Sequence, residues 1–373
     1  MKRESIELMA PAPGVRYSLD VLRFGAKGAG PKAYIQAALH ADEVPAILVA
    51  QALKRQLEAA EAAGMLRGEV VLVPFANPAG MSQQVLGQHH GRFDLRDGGN
   101  FNRGYADVTA QVAALIGPLL GDDPERNAQL IRDALRQASL NLTATHPVQD
   151  LKNRLLQLAL DSDVVLDLHC DHEAVMHVYA LTPQSTQAIE LGALLGARAI
   201  LLATESGDSP FDEACSRPWY ELQRQFAGHP IRLGCFSATV ELRGESDTSH
   251  ELAERDAGAI MAFLRLRGIL RPTADSPEMP QLLCTPTPLA CSEPLTAPTF
   301  GVVVFHRRPG DLVQAGELIA DLVDPQTGAI VPVRCQSAGV FYARSGVRWA
   351  APGKRLGKIA GNTLQRSGKL LSP

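Results

Sequence analysis

The chain of 373 residues carries a formal net charge of −4, with 46% hydrophobic and 20% charged residues. This composition is ordinary for a globular protein, and it contains no basic block, so we expect no nucleic-acid partner. No apolar run approaches the roughly 18 residues of a membrane span, and none follows the N-terminus, so we predict neither a membrane partner nor a secretion signal. Six scattered cysteines, never spaced as Cys-x-x-Cys, favour reduced thiols and a cytoplasmic location.

The first third of the chain predicts strands that alternate with helices. The predicted elements are a strand over 15–24, a buried strand over 34–40, a helix from about 42 to 63, a buried strand over 69–76 and a long loop over 81–102. Pro45 fits the first turn of the helix, where its missing N–H would have no partner. The polar, Gly-rich loop has no periodicity, and a loop of this length in a compact domain is usually functional.

The middle of the chain continues the alternation. Residues 107–160 are mostly helical in pattern, with breaks near 117–123 and 141–147. Further strands are predicted over 164–169, 175–180, 199–203 and 235–241, and further helices over 184–195, 211–226 and 249–266. Strands that alternate with helices indicate an α/β domain with a mainly parallel or mixed central sheet and helices on both faces.

The composition changes over 271–298, which is rich in Pro, Thr and Ser. Single cores usually stop growing at roughly 250–300 residues, so we predict an α/β domain over 1–285 and a small all-β domain over 286–373. The segment 309–320 resembles the Gly-Asp-x-Val-x-x-Gly hairpin of biotinyl/lipoyl-type domains. The turn after it, 323–328, lacks the lysine that such domains modify, so this barrel-like domain is predicted to pack against or shape the pocket.

Three metal-ligating side chains fall at the carboxyl ends of predicted strands. A single histidine there is usually structural, but His40, Glu43 and His169 share one edge, where ligands bind in open α/β sheets. Two histidines and one carboxylate, with a fourth position left to water, form a catalytic rather than a structural zinc set. Glu241 ends another predicted strand at this edge and is the candidate general base.

These residues resemble the motifs of the succinylglutamate desuccinylase/aspartoacylase family of zinc carboxypeptidase-like deacylases. The resemblance covers about 33–242 and consists, in chain order, of His40-Ala-Asp-Glu43, Asn102-Arg103, Asp167-Leu-His169 and Val240-Glu241-Leu. It implies one zinc ion per chain, bound by His40, Glu43 and His169. It also implies that Glu241 is the catalytic acid/base.

The resemblance assigns the polar residues of the loop to the substrate. Asn102 and Arg103 match residues that bind a substrate carboxylate, and Arg92 resembles the arginine that polarises the scissile carbonyl. Arg96 on the same loop is the alternative for this second role. A guanidinium suits both tasks, because it grips a carboxylate bidentately and stabilises a developing oxyanion.

Two departures from the family pattern bear on the site. The family has Asp-Leu-Asn-Arg where this chain has Asn100-Phe-Asn-Arg, so either Asn100 or Asp97 is expected to accept a hydrogen bond from a zinc-bound histidine. After Glu241 the family has glycines, whereas Arg243 stands here and is expected to reshape the acyl pocket. Which residues of the C-terminal domain reach the site is left open, with Tyr342 and Arg348 as candidates.

The sequence therefore predicts a zinc-dependent amidohydrolase that removes an acyl group from an N-acyl amino acid or a similar small N-acylated amine. Its partner would be a small-molecule substrate with a carboxylate, and a homo-oligomer is left open. The alternatives are a zinc carboxypeptidase that acts on peptides and a metal-binding protein without catalytic activity.

Overall fold

The structure, a computed structural model, describes residues 1–272 and 278–371, so residues 273–277 of the predicted link lie outside the described residues. The strands and helices up to residue 288 are β1 (Lys2–Glu7), β2 (Ser18–Phe24), β3 (Lys32–Ala37), α1 (Pro45–Ala62), β4 (Glu69–Val73), α2 (Pro78–Met81), β5 (Gln84–Val85), β6 (Gln88–His89), α3 (Thr109–Ile116), α4 (Pro124–Leu140), α5 (Pro147–Ala159), β7 (Val164–Asp171), β8 (Glu173–Ala174), β9 (Met176–Leu181), α6 (Ser185–Leu195), β10 (Ala199–Ala203), α7 (Phe211–Gln225), β11 (Phe236–Gly244), α8 (His250–Leu266) and β12 (Thr287–Pro288).

Nine of these strands form one mixed sheet in the order β1-β2-β4-β3-β7-β11-β9-β10-β12. The central strands β4, β3, β7 and β11 are parallel neighbours, while β9 is antiparallel to β11. Helices α1, α6 and α8 pack on one face, and α3, α4, α5 and α7 pack on the other. The predicted α/β fold with helices on both faces is confirmed.

The order of the central strands places a crevice between β3 and β7. From β3 the chain passes through α1 to β4 on one side, and then crosses through α3–α5 to β7 on the other side. Ligands of open α/β sheets bind where the strand order reverses in this way, outside the carboxyl ends of the strands. The sheet therefore brings the residues after β3 and those at the end of β7 to one point.

The C-terminal region forms two antiparallel sheets. Its strands are β13 (Ser292–Thr296), β14 (Gly301–Phe305), β15 (Leu312–Val313), β16 (Leu318–Val323), β17 (Ile330–Arg334), β18 (Gly339–Arg344), β19 (Trp349–Ala350) and β20 (Arg355–Gly361). One sheet has the order β13-β20-β18-β15, with β8 also paired to β18, and the other has the order β17-β16-β14-β19. Both contribute to one apolar core that includes Ile319, Phe341 and Ile359. The separate all-β region is thereby confirmed.

Two strands tie the regions together. Strand β8 comes from the α/β part but pairs with β18. Strand β12 lies just beyond the predicted boundary at 285/286 and still pairs with β10 of the central sheet. The position of the boundary stays a prediction. Among the described residues, no helix combines the length and the apolar character that crossing a membrane requires.

Candidate metal centre and active site

The turn after β3 presents the first two members of the site. Ala38 adopts a positive φ of 58°, which redirects the chain before His40, and Glu43 stands just ahead of the proline that begins α1. The Gly91 N–H donates to Asp42 Oδ2 at 3.0 Å, which holds the loop against this turn. The two segments are so close that a Cβ at Gly91 would lie 2.1 Å from the Asp42 nitrogen. Only glycine allows this approach. The contact brings Arg92 beside Glu43.

His40, Glu43 and His169 form one buried group. Their candidate ligand atoms all lie within 4.8 Å of one another, and no other such group of three occurs within 1–272 and 278–371. Glu43 stands between the rings, with Oε1 2.8 Å from His40 Nδ1 and Oε2 2.8 Å from His169 Nδ1. The predicted ligand set is thus brought together from two distant parts of the chain.

An oxygen atom lies behind each ring, beside the nitrogen that does not face Glu43. Asn100 Oδ1 lies 2.9 Å from His40 Nε2, and Asp167 Oδ2 lies 2.9 Å from His169 Nε2. Metal-binding histidines typically use their other ring nitrogen in this way, which fixes the tautomer and orients the ring. The donor set therefore fits a divalent ion that would bind both Nδ1 atoms and the Glu43 carboxylate.

Of the two candidates for the acceptor behind His40, the structure places Asn100 there. Asp97 is exposed, and its Oδ1 accepts a hydrogen bond from the backbone N–H of Gly99. Asn100 also accepts from the Asn102 N–H at 2.8 Å, while its own Nδ2 is buried without a hydrogen-bond partner. The amide thus serves as the acceptor at the cost of one unsatisfied donor.

The charges of the group differ between the two rings. Burial, with the nearby Arg92 cation, lowers the pKa of His40 to about 4. Burial also disfavours the charged form of His169, but the carboxylates of Asp167 and Glu43 outweigh it and raise the pKa well above its usual value. Burial would raise the pKa of Glu43, yet the two imidazoles hold it well below its usual range. The group therefore keeps Glu43 ionised.

Glu241 lies on the next strand. It pairs in register with His169 of β7 on one side and with His177 of β9 on the other. Its Oε2 is buried and has no hydrogen-bond partner. Burial first, and then the negative charge of Glu43, raise the pKa of Glu241 to about 8. The carboxyl group therefore has an open position for a proton beside the metal-binding group.

The two candidate arginines of the loop have different positions. Arg92 Nη1 lies 3.3 Å from Glu43 Oε1 and 3.2 Å from His40 Nδ1, with its side chain 37% exposed. Arg96 instead forms a bidentate pair with Asp94, in which Nη2 donates to Oδ2 at 2.7 Å. The structure brings Arg92 to the group and turns Arg96 away from it.

Asn102 and Arg103 line the same cavity as the two histidines. The Asn102 amide links three elements, because Oδ1 accepts from the Phe211 N–H at the start of α7 and Nδ2 lies 3.3 Å from His169 Nε2. Arg103 donates through Nη1 to the Asn102 carbonyl at 2.7 Å. Burial, with the neighbouring Arg92 cation, lowers the pKa of Arg103.

The expected effect of Arg243 on the pocket is not seen. Its backbone has a positive φ of 70°, and the register between β11 and β7 shifts between Glu241 and Gly244. The Arg243 side chain pairs with Asp256 of α8 and lines neither cleft beside Glu241. An alternating strand would have put Arg243 on the same face as Glu241, and the bulge reverses this.

The C-terminal region supplies part of the cavity wall. Of the two candidates left open by the sequence, Tyr342 lines the cavity, whereas Arg348 pairs with Glu173 and does not. Several further lining residues were not predicted from the sequence, namely Arg355, Lys358 and Arg366 from the C-terminal region and Asp212 and Glu213 from α7. Their positions depend on how the two regions pack, and isolated charges in a sequence carry no such information.

A second cleft reaches the site from the other side of Glu43. It is about 320 Å³ in volume, against about 80 Å³ for the cavity that contains the histidines. Arg92, Glu241, Arg355 and Lys358 line both. The reactive groups therefore stand where the two spaces meet.

Fold and site define an α/β protein with a candidate metal centre at the switch point of its sheet. The family model for the succinylglutamate desuccinylase/aspartoacylase catalytic domain matches residues 29–267, which is more than half of the chain. The chain therefore belongs to this family of deacylases, and the resemblance seen in the sequence is confirmed. A comparison with curated proteins finds no match.

Solved structures of family members are similar over nearly the whole chain. A succinylglutamate desuccinylase/aspartoacylase family protein from Shewanella amazonensis is 26% identical with a TM-score of 0.83, covering 96% of this chain and 98% of that one. A second, from Shewanella frigidimarina, is 23% identical with a TM-score of 0.83 and 97% of each chain covered. The ectoine utilization protein EutE (DoeB) from Ruegeria pomeroyi, 18% identical with a TM-score of 0.64 and 97% and 95% covered, shares the fold.

Proposed function

We propose that this protein is a zinc-dependent amidohydrolase that removes an acyl group from an N-acyl amino acid or a similar small N-acylated amine. The observation that carries the proposal is the buried His40–Glu43–His169 group with the Glu241 carboxyl on the adjoining strand. Arg92 and Arg103 on the same side add cations suited to an oxyanion and a carboxylate.

Zinc is the ion that this donor set favours. Two imidazole nitrogens and one carboxylate, one set per chain, match the open ligand set of catalytic zinc sites. When bound, zinc would act as a Lewis acid that lowers the pKa of a water molecule and of neighbouring acidic groups. Asn100 and Asp167 would keep both Nδ1 atoms available to it.

Each polar residue around the group then has one task. Glu241 Oε2 accepts the proton of the attacking water and passes it to the amine nitrogen, as a carbon–oxygen bond forms and the carbon–nitrogen bond breaks. The Arg92 guanidinium donates hydrogen bonds to the carbonyl oxygen as its negative charge grows. Arg103 binds the carboxylate of the substrate, and Asn102 fixes the loop that carries Arg103 to the start of α7.

The substrate would lie across the junction of the two spaces. Arg103 and Asn102 line only the smaller cavity, while Arg92 and Glu241 line both. A substrate whose carboxylate is bound by Arg103 would therefore have its amino-acid part in the smaller cavity and its scissile bond at the junction. Its acyl group would extend into the second cleft.

The test is amine release from a panel of N-acyl amino acids with several acyl groups, together with short peptides. We expect activity with N-acyl amino acids, its loss with a chelator, and its return with one equivalent of zinc per chain. Release of C-terminal residues from peptides alone would identify a carboxypeptidase. Full zinc binding without turnover of any amide would identify a metal-binding protein without catalytic activity.

A further inference from the structure

The cavity that contains Arg103 has an apolar side. Four of the leucines that line it form what we call the apolar wall: Leu201, Leu289, Leu370 and Leu371. Leu201 and Leu289 are almost fully buried, and Leu370 is 8% exposed. All four belong to one apolar cluster that also includes Tyr179 and Tyr342. The wall is a continuous surface rather than scattered side chains.

Three segments that are distant in sequence build the wall. Leu201 comes from β10, Leu289 from the short 3₁₀ turn after β12, and Leu370 and Leu371 from the segment after β20. This last segment is fixed in place by the Leu370 N–H, which donates to the Ser206 carbonyl at 2.7 Å. An ion pair between Lys369 and Asp208 adds to this contact.

Several charged groups that line the same cavity have partners within the protein. Lys358 pairs with Asp171, and the Arg366 guanidinium donates to the backbone carbonyls of Leu289 and Leu370. Glu213 Oε1 accepts a hydrogen bond from the Ser206 N–H at 2.7 Å. Arg355 lines both spaces, so it lies towards their junction. Asp212 and the unpartnered Glu213 Oε2 also line this cavity, whereas the four leucines themselves offer an apolar surface.

We propose that the amino-acid part of the substrate has an apolar side chain, which packs on the apolar wall while Arg103 binds the carboxylate. This inference rests on the proposed function and names its substrate class: N-acyl derivatives of amino acids such as leucine, rather than of acidic or basic ones. Each methylene that enters an apolar pocket raises kcat/KM by about tenfold or more. The kcat/KM of the leucine derivative should therefore exceed that of the alanine derivative by at least tenfold. A charged side chain that packs on these leucines would lose its water without a hydrogen-bond partner among them.

The experiment compares the N-acetyl derivatives of leucine, alanine and aspartate and Nα-acetyl-lysine with the zinc-loaded protein. We expect kcat/KM to be highest for N-acetyl-leucine and at least tenfold lower for each of the others. In Leu371→Arg, the ratio of kcat/KM for N-acetyl-leucine to kcat/KM for N-acetyl-aspartate should fall at least tenfold. Leu364→Arg is the matched control, because Leu364 is in the same segment, is 71% exposed and does not line the cavity. It should leave the ratio unchanged.

Binding separates a failure of this inference from a failure of the proposed function. In Glu241→Gln, calorimetry should give at least tenfold tighter binding of N-acetyl-leucine than of N-acetyl-aspartate, and adding Leu371→Arg should remove that difference. If wild-type protein hydrolyses none of the amides but this binding preference is present, the proposed function is wrong and the apolar wall is supported. If hydrolysis occurs with aspartate or lysine preferred, or if Leu371→Arg and Leu364→Arg behave alike, the inference is overturned and the proposed function stands.

Discussion

Glu43 and Glu241 are two glutamates of one site in opposite surroundings. Both Glu43 oxygens have close partners, namely His40 and Arg92 at Oε1 and His169 and the Cys170 N–H at Oε2. Glu241 has a buried oxygen without any partner. The pKa of Glu43 is lowered well below its usual range by the imidazoles, whereas burial and the charge of Glu43 raise that of Glu241 to about 8.

The difference shows how one residue type can take two roles. A carboxylate that is surrounded by donors stays ionised and is fixed in place, which suits a metal ligand. A carboxyl group with a raised pKa and an open position can take up and release a proton near neutral pH, which suits an acid/base.

The largest effect is expected for Glu241→Gln. Loss of the acid/base should lower kcat by about 10³ to 10⁴, since general acid–base catalysis is worth up to that much. Because Glu241 does not belong to the metal-binding group, zinc content measured by atomic absorption should stay at one per chain. Glu43→Gln should lower zinc content as well as activity. If Glu241→Gln also lost zinc, the division of roles between the two glutamates would be wrong.

Arg92→Ala should lower kcat by about 10² to 10³, the range seen when one donor to an oxyanion is removed. Arg96→Ala is the matched control, since it lies four positions along the same loop and pairs with Asp94 rather than with the metal-binding group. We expect Arg96→Ala to change kcat less than twofold. Steady-state kinetics on the best substrate of the panel gives both numbers. Equal losses in the two variants would assign the effect to the loop and not to the guanidinium of Arg92.

The raised pKa of Glu241 predicts a pH-dependent stability of the metal-free protein. The folded pKa of about 8 lies above the usual 4.5, so the folded state binds this proton more tightly than the unfolded state. The resulting stability is present below pH 4.5 and is lost as the pH rises to 8. The free energy of unfolding of Glu241→Gln, relative to that of wild type, should therefore rise by about 3 kcal/mol between pH 5 and pH 8.

Urea unfolding with chelator at both pH values measures this change. Glu251→Gln, at an exposed position on α8, is the matched control. Its free energy of unfolding should change with pH as that of wild type does. Parallel pH profiles of wild type and Glu241→Gln would show that the Glu241 carboxyl ionises as easily in the folded state as in the unfolded state. The contrast with Glu43 would then rest on hydrogen bonding alone.

The sequence was informative where local pattern and sheet geometry act together. Continuous apolar runs identified β3, β7 and β11, and their parallel arrangement brought His40, His169 and Glu241 to one edge. Periodicity located the helices to within a few residues, and Pro45 marked the start of α1.

Features that depend on contacts between distant segments were missed. Strand β1 is charged and mostly exposed, and it exists because it pairs with β2 at the sheet edge. The two-residue strands β8 and β12 are too short to have a pattern. The apolar wall joins segments almost 170 residues apart, so no local signal could have revealed it. Arg243 was misjudged because the bulge after Glu241 leaves no trace in the apolar pattern.

The smallest effect concerns the acceptor behind His40. Asn100→Ala removes the oxygen that lies 2.9 Å from Nε2, so the ring loses its orientation and zinc affinity should fall about tenfold. Asn100→Asp replaces the buried, unpartnered Nδ2 with an acceptor, so zinc affinity should equal or exceed that of wild type. Competition with a chromophoric chelator measures both, and Asp97→Ala, at an exposed position of the same loop, should match wild type. If Asn100→Ala binds zinc as tightly as wild type, the orientation of His40 is set by Glu43 and the surrounding packing. The hydrogen bond from the loop would then contribute nothing to zinc binding.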